Sequence, residues 1–108
     1  MFSPDGKTLA SGGNDGIIHL WDIDTWKTKI TINGHTFLMC LAFSPDGKIL
    51  ASGCGDGTIQ LWDAHTYEHK KTLTGHIGRV DSIDFSPDGK TLVSGCSNGS
   101  VLIWEIDP

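Results

Sequence analysis

Three stretches of this chain are near-copies of one another. Residues 2–22 read FSPDGKTLASGGNDGIIHLWD, residues 43–63 read FSPDGKILASGCGDGTIQLWD, and residues 85–105 read FSPDGKTLVSGCSNGSVLIWE. The copies start at positions 2, 43 and 85, so the steps between them are 41 and 42 residues. A fixed period of this size marks a repeat architecture, in which one unit cannot bury its apolar surface alone and needs neighbours stacked against it. A chain of 108 residues would otherwise be read as one small domain.

Each copy reads as a series of short antiparallel strands. In the middle copy, residues 37–43 (FLMCLAF) form an apolar run suited to a strand buried on both faces. Ser44, Pro45, Asp46 and Gly47 then close a tight turn, with φ preset at Pro45 and a positive φ open to Gly47. Residues 48–53 make the second strand, the Asp56–Gly57 pair a hairpin turn, and residues 58–62 the third strand. In that strand Ile59 and Leu61 share one side, while Thr58, Gln60 and Trp62 share the other. Large apolar groups on both sides suit a sheet sandwiched between two others. Residues 69–73 make the fourth strand, whose Lys70 and Lys71 suit an outer edge protected against stray pairing. The first copy supplies strands near 7–12, 17–21 and 27–32, and the third near 80–85, 91–95 and 100–104. No helical pattern appears.

Between the copies lies a second shared piece, Asn33-Gly34-His35 and Thr74-Gly75-His76. A Gly-His pair, then FSPDG, then Trp-Asp, in this order and repeated in register, resembles the WD-repeat β-propeller family over nearly the whole chain. The resemblance implies an all-β fold: an incomplete β-propeller of antiparallel four-stranded blades. It divides the chain into a partial blade at 1–32, a complete blade at 33–74 and a partial blade at 75–108. Propellers usually have 4 to 8 blades, at about 40 residues each. The chain is therefore expected to be a piece of a longer protein, or else a short chain that oligomerises to close a ring.

His35, Ser52 and Asp56 are the residue types of a hydrolase triad. A nucleophilic serine needs an exposed strained turn, a base and an oxyanion hole, whereas Ser52 sits within the strand-like LASG and outside any G-x-S-x-G. The family resemblance implies instead a buried structural tetrad of His35, Ser52, Asp56 and Trp62. In it the indole N–H donates to a hydroxyl, and the imidazole relays between that hydroxyl and the carboxylate. The first copy keeps Ser11, Asp15 and Trp21. The third keeps His76, Ser94 and Trp104 but has Asn98 for the aspartate and ends Trp-Glu. No catalytic residue and no cofactor are expected.

Composition narrows the classes further. A net charge of −5 with Arg79 as the sole arginine argues against a nucleic-acid partner. No apolar run approaches a membrane span. Cys40, Cys54 and Cys96 are an odd set without a C-x-x-C, and Cys54 and Cys96 lie 42 residues apart at equivalent points of diverging blades. Three buried or half-buried thiols are expected, with no disulfide and no metal. His65 and His69 have helical metal spacing, but they fall on a connection and a strand, without carboxylate or thiol partners. The opening MFSPDGK has neither the basic start nor the apolar core of a signal peptide, and it begins inside a repeat. A cytoplasmic location is expected, and Met1 need not be the natural start.

The resemblance also implies a partner-binding face for a protein or peptide, built from the starts of the first strands and the residues before the turn aspartates. Here these are Phe37, Met39, Arg79, Asp81, Asn14, Gly55 and Ser97. The function expected is a non-catalytic interaction scaffold; the rival is a segment attached to a catalytic or signalling domain in a longer chain. The terminal blades are expected to leave apolar side chains bare, drawn from Ile18, Leu20 and Trp21 in the first and from Val101, Ile103 and Trp104 in the third. Missing blades or self-association would cover them.

Overall fold

The computed structural model describes residues 1–13, 15–33, 37–75 and 78–106. Among these are ten strands and no helix. Strands β1 (Thr8–Gly12), β2 (Ile17–Asp22) and β3 (Thr28–Asn33) form the first sheet, in the order β1-β2-β3. Strands β4 (Leu38–Phe43), β5 (Ile49–Cys54), β6 (Ile59–Asp63) and β7 (His69–Leu73) form the second, again in chain order. Strands β8 (Val80–Phe85), β9 (Thr91–Cys96) and β10 (Val101–Glu105) form the third. Every pairing is antiparallel between consecutive strands. In the first sheet the place held by β4 and β8 elsewhere is taken by one bridge, Phe2 to Leu9.

The Ser-Pro-Asp-Gly turns are built alike in all three sheets. Ser44 Oγ donates to Asp46 Oδ1 at 2.6 Å and accepts the Ile49 N–H at 3.0 Å, while Asp46 also accepts the Lys48 N–H at 3.0 Å. Gly47 closes the turn at φ 73°, which a residue with a Cβ rarely adopts. The Ser3/Asp5 and Ser86/Asp88 turns repeat the serine-to-aspartate bond at 2.6 Å. These bonds, the serine hydroxyl first and the backbone amide second, hold the Asp5, Asp46 and Asp88 carboxyls below the ordinary aspartate range.

The aspartate after the tryptophan caps the next connection. Asp63 Oδ1 accepts the N–H groups of His65 at 2.8 Å and Thr66 at 2.9 Å, and Asp22 does the same for Asp24 and Thr25. Each turn then ends on an aromatic residue in the left-handed region, Trp26 at φ 57° and Tyr67 at φ 63°.

Two apolar layers lie between the three sheets. One joins Ala10, Ile18, Leu20 and Ile32 of the first sheet to Leu38, Phe43, Leu50 and Trp62 of the second. The other joins Ala51, Ile59, Leu61 and Leu73 of the second to Val80, Phe85 and Leu92 of the third. The alternation read in β6 is thus realised: Ile59 and Leu61 face the third sheet and Trp62 the first. Burying each such Leu or Ile side chain contributes about 1.5–3 kcal/mol.

Strand alternation also corrects the expected bare face of the first sheet. Ile18 and Leu20 are wholly buried against the second sheet, and Trp21, pointing the other way, is only half-buried. In the third sheet Val101 and Ile103 are open to solvent as expected, while Trp104 turns inward onto the neighbouring layer.

Glycine lets adjacent sheets approach. A Cβ on Gly12 would stand 2.7 Å from Leu38 Cδ1, and one on Gly53 would stand 2.8 Å from Val80 Cγ1 and 2.5 Å from Cys40 Sγ. In both places the first strand of one sheet crosses the end of a strand in the sheet before it.

Candidate functional site

The serines of the LASG and LVSG segments lie inside β1, β5 and β9, each opposite the strand that carries the tryptophan. Trp62 Nε1 donates to Ser52 Oγ at 3.1 Å, Trp21 Nε1 to Ser11 Oγ at 3.0 Å, and Trp104 Nε1 to Ser94 Oγ at 2.8 Å. Ser52 Oγ in turn donates to the Gln60 carbonyl at 3.4 Å. Ser52 and Ser94 are buried and Ser11 is half-buried. A hydroxyl that accepts an indole N–H inside a strand is a staple between strands. Each of these hydroxyls lies within a strand rather than on the exposed turn that a serine nucleophile needs.

The acidic end of the expected tetrad is placed differently. Asp56 is exposed, and its Oδ1 accepts the Thr58 N–H at 3.0 Å and the Thr58 hydroxyl at 2.6 Å. Asp15 accepts the Ile17 N–H at 3.0 Å, and Asn98 accepts the Ser100 N–H at 2.9 Å. These side chains shape their own hairpin turns, since a carboxylate or amide two residues before an N–H folds back on it readily. His35 and His76 lie outside the described residues, as does Asn14.

Sequence reading missed Gln60. It is buried beside Trp62, and its Oε1 receives the Thr72 hydroxyl at 2.7 Å and meets His69 Nε2 at 2.7 Å. The His69 ring also stands edge-on to Trp62, with centroids 5.2 Å apart. This ties β7 to β6, and it is what His69 does in place of pairing with His65. The signal available was a polar residue between Thr58 and Trp62 on one face of a strand. Among the described residues no group of three His, Cys, Asp or Glu side chains is gathered as a metal site would require. All three cysteines are thiols, Cys40 half-buried and Cys54 and Cys96 buried. Burial pushes the Cys40 thiol up to about 11.

The strand starts and hairpin turns come together at the end of the sheets opposite the Ser-Pro-Asp-Gly turns. The Gly55 N–H donates to the Phe37 carbonyl at 2.7 Å, and the Ser97 N–H to the Arg79 carbonyl at 3.0 Å. The Leu38 N–H reaches across to the Gly13 carbonyl of the first sheet at 3.2 Å. The pairing of β4 with β5 slips by one residue between Leu38 and Cys40, and that of β8 with β9 slips between Val80 and Ser82. Each slip is a β-bulge that leaves one extra residue unpaired and turns its side chain out. The extra residues are Met39 and Asp81, which no sequence signal marked as bulges. Met39 is 39% exposed and Phe37 is 58% exposed. Arg79 Nε holds Asp81 Oδ1 at 2.6 Å, with both side chains in solvent. An apolar pair on the second sheet thus stands beside a charged pair on the third.

Register also fixes the correspondence between the two starts. Leu38 pairs with Cys54 as Val80 pairs with Cys96, so Phe37 and Arg79 are equivalent, as are Met39 and Asp81. The one-residue difference in length between the two Gly-His connections therefore falls before Phe37.

The family described as "WD domain, G-beta repeat" matches residues 1–22, 26–63 and 67–105. This chain belongs to the WD40 repeat family. Its three sheets are consecutive WD40 blades. The WD40 repeats of RRP9 superpose with a TM-score of 0.95 and 30% sequence identity, over 98% of this chain and 34% of that one. The structure of U3-55K gives a TM-score of 0.94 and 28% identity, over 98% of this chain and 35% of that one. Among curated proteins, the general transcriptional corepressor TUP1 of Saccharomyces cerevisiae is 50% identical over 34 residues, 32% of this chain and 5% of that protein. The small ribosomal subunit protein RACK1 of Candida albicans is 46% identical over 41 residues, 38% of this chain and 13% of that protein. The chain spans about a third of the length of the solved structures it matches. WD40 repeats are generally non-catalytic and imply a protein-interaction scaffold role.

Proposed function

We propose that this chain supplies consecutive blades of a WD40 ring larger than itself and presents the Phe37/Met39/Arg79/Asp81 face to a protein or peptide partner. The observation that carries this reading is the pair of bulges at equivalent positions, which turn Met39 and Asp81 outward beside Phe37 and Arg79. Large apolar groups next to a paired arginine suit recognition of an extended segment. Aromatic and arginine side chains dominate interface energetics, and methionine adapts to its partner. The partner segment carries an apolar side chain to cover Phe37 and Met39, flanked by a charged or polar group that engages Arg79 or Asp81. The Trp–Ser pairs staple neighbouring strands within the blades beneath this face.

The test is selection of displayed random peptides on the chain, followed by affinity measurement on variants. Phe37→Ser with Met39→Ser is expected to weaken selected peptides at least about tenfold, the loss of roughly 1.4 kcal/mol or more. A control change at the opposite end, Lys48→Ser, is expected to leave affinity unaltered. Peptides that ignore the first pair and respond to Lys48→Ser would place the binding face at the other end.

A further inference from the structure

The two internal interfaces differ at the Ser-Pro-Asp-Gly end. Between the second and third blades, Ile49 at the start of β5 and Ile106 just past β10 are buried in the shared apolar layer. The equivalent residues between the first and second blades are Thr8 and Ala64. Backbone pairing fixes this equivalence. Thr8 pairs with Asp22 as Ile49 pairs with Asp63. The Ala64 N–H donates to the Lys48 carbonyl at 2.9 Å, as the Ile106 N–H donates to the Lys90 carbonyl at 2.8 Å. Where two isoleucines fill one interface, the other holds a cleft of about 620 Å³. Ligand clefts typically measure about 300–1,000 Å³. Phe43, Pro45 and Tyr67 give this cleft an apolar wall, and Lys7 and Lys29 are its exposed cations.

Thr8 is 8% exposed and lines the cleft. Lys29 Nζ donates to Thr8 Oγ1 at 3.4 Å, and among the described residues no group accepts the hydrogen of that hydroxyl. A hydroxyl both donates and accepts, whereas an ammonium only donates. A buried donor without an acceptor is costly, so the site lacks an acceptor rather than another donor. Among the described residues no carboxylate forms an ion pair with Lys7 or Lys29. Asp5 and Asp46 also line the cleft, but each commits Oδ1 to a serine hydroxyl and a backbone N–H of its own turn.

We infer that this cleft between the first and second blades is a second binding site, and that it takes an acidic peptide segment of a protein partner. An Asp or Glu carboxylate of the segment accepts from Thr8 Oγ1 and Lys29 Nζ, and a neighbouring apolar side chain rests on Phe43, Pro45 and Tyr67. Hydrogen bonds to an ionised acceptor are about twice as strong as neutral ones. The two lysines and two aspartates around the cleft suit a singly charged group. A doubly charged phosphate would meet added repulsion from Asp5 and Asp46. The site lies at the end of the blades opposite Phe37 and Met39, so the two faces can be occupied independently.

Subtractive selection of displayed random peptides tests this on the full chain. Peptides are kept on the wild type after depletion on Thr8→Ile with Ala64→Ile, which restores the isoleucine pair of the other interface. The survivors are expected to carry Asp or Glu beside an apolar residue. Replacing that acidic residue by its amide, or Lys29→Met in the chain, is expected to weaken binding at least about tenfold, as loss of a charged hydrogen bond does. Lys29 is at the surface and outside both apolar layers, so Lys29→Met leaves the fold intact. Phe37→Ser with Met39→Ser is expected to leave these peptides bound, which separates this site from the face at the other end. No survivors, survivors without an acidic residue, survivors indifferent to Lys29→Met, or displacement by inorganic phosphate more readily than by acetate would each overturn the inference.

Discussion

A Cβ on Gly89 would stand 3.6 Å from Pro45 Cδ, and one on Gly47 would stand 4.0 Å from Pro4 Cδ. The prolines of the first two Ser-Pro-Asp-Gly turns, Pro4 and Pro45, thus lie over the glycine of the turn in the next blade. The repeated motif serves its own hairpin and also spaces the blades, so the period in sequence becomes a period in space.

The three turn aspartates make stability depend on acid. Their folded-state carboxyls titrate below the ordinary value of 3.8 because they accept a serine hydroxyl and a backbone N–H. A depressed folded pKa stabilises the fold above the unfolded value and loses that contribution as pH falls through the folded one. Stability is therefore expected to decline below about pH 4, where unfolded aspartate begins to hold its proton. Carboxyl titration by NMR should place Asp46 below an unstructured aspartate, and Asp46→Asn should flatten the acid limb of the denaturation curve. An Asp46 that titrates at or above 3.8 would contradict the turn geometry.

Gly53 and Gly13 should differ in their response to alanine. A Cβ on Gly53 would overlap Cys40 Sγ at 2.5 Å and Val80 Cγ1 at 2.8 Å, whereas nothing lies within 4 Å of one on Gly13. Gly53→Ala is expected to cost about 1–3 kcal/mol by overpacking, and Gly13→Ala to stay within about 0.5 kcal/mol. Urea denaturation of the two variants compares them directly. Equal effects would show that the second and third blades pack less closely than described.

The hairpin aspartate should outrank its asparagine equivalent. Asp56 accepts both the N–H and the hydroxyl of Thr58, whereas Asn98 accepts the Ser100 N–H. Both side chains are at the surface, so Asp56→Ala is expected to cost about 1 kcal/mol, and Asn98→Ala less. Thermal melts in which Asn98→Ala loses more would refute this ordering.

Cysteine labelling reports the blade interior. Burial raises the Cys40 thiol to about 11, and Cys54 and Cys96 are buried. At pH 8 iodoacetamide is expected to react with all three far more slowly in the folded chain than in urea, because the thiolate is the reactive form. Rapid labelling of Cys40 in the folded chain would show that the gap between the second and third blades opens freely.

Much of this was legible in the sequence. The period, the turn residues and the alternation of Ile59, Leu61 and Trp62 located the strands, since turn chemistry and face alternation are local rules. The Trp62–Ser52 pairing was legible through the family resemblance, which implied both residues as partners. Three features were not legible because they depend on register or on neighbours. The bulges at Met39 and Asp81 arise from a one-residue slip that leaves no mark in composition. The side of the first sheet to which Ile18 and Leu20 turn depends on which neighbour is present. The surface position of Asp56 reflects competition between its own turn and the interior, which the bond to Thr58 decides.

The central claim is that the strand serines are engaged by tryptophan indoles as structural staples. Exchange of the indole N–H protons with solvent, followed by nitrogen-15 NMR, tests it most directly. Trp62, buried and bonded to Ser52, is expected to exchange slowest; Trp104 and Trp21, bonded but half-buried, should be intermediate; and exposed Trp26 should be fastest. Exchange at Trp62 as fast as at Trp26 would contradict the staple and with it the account of how these blades are held.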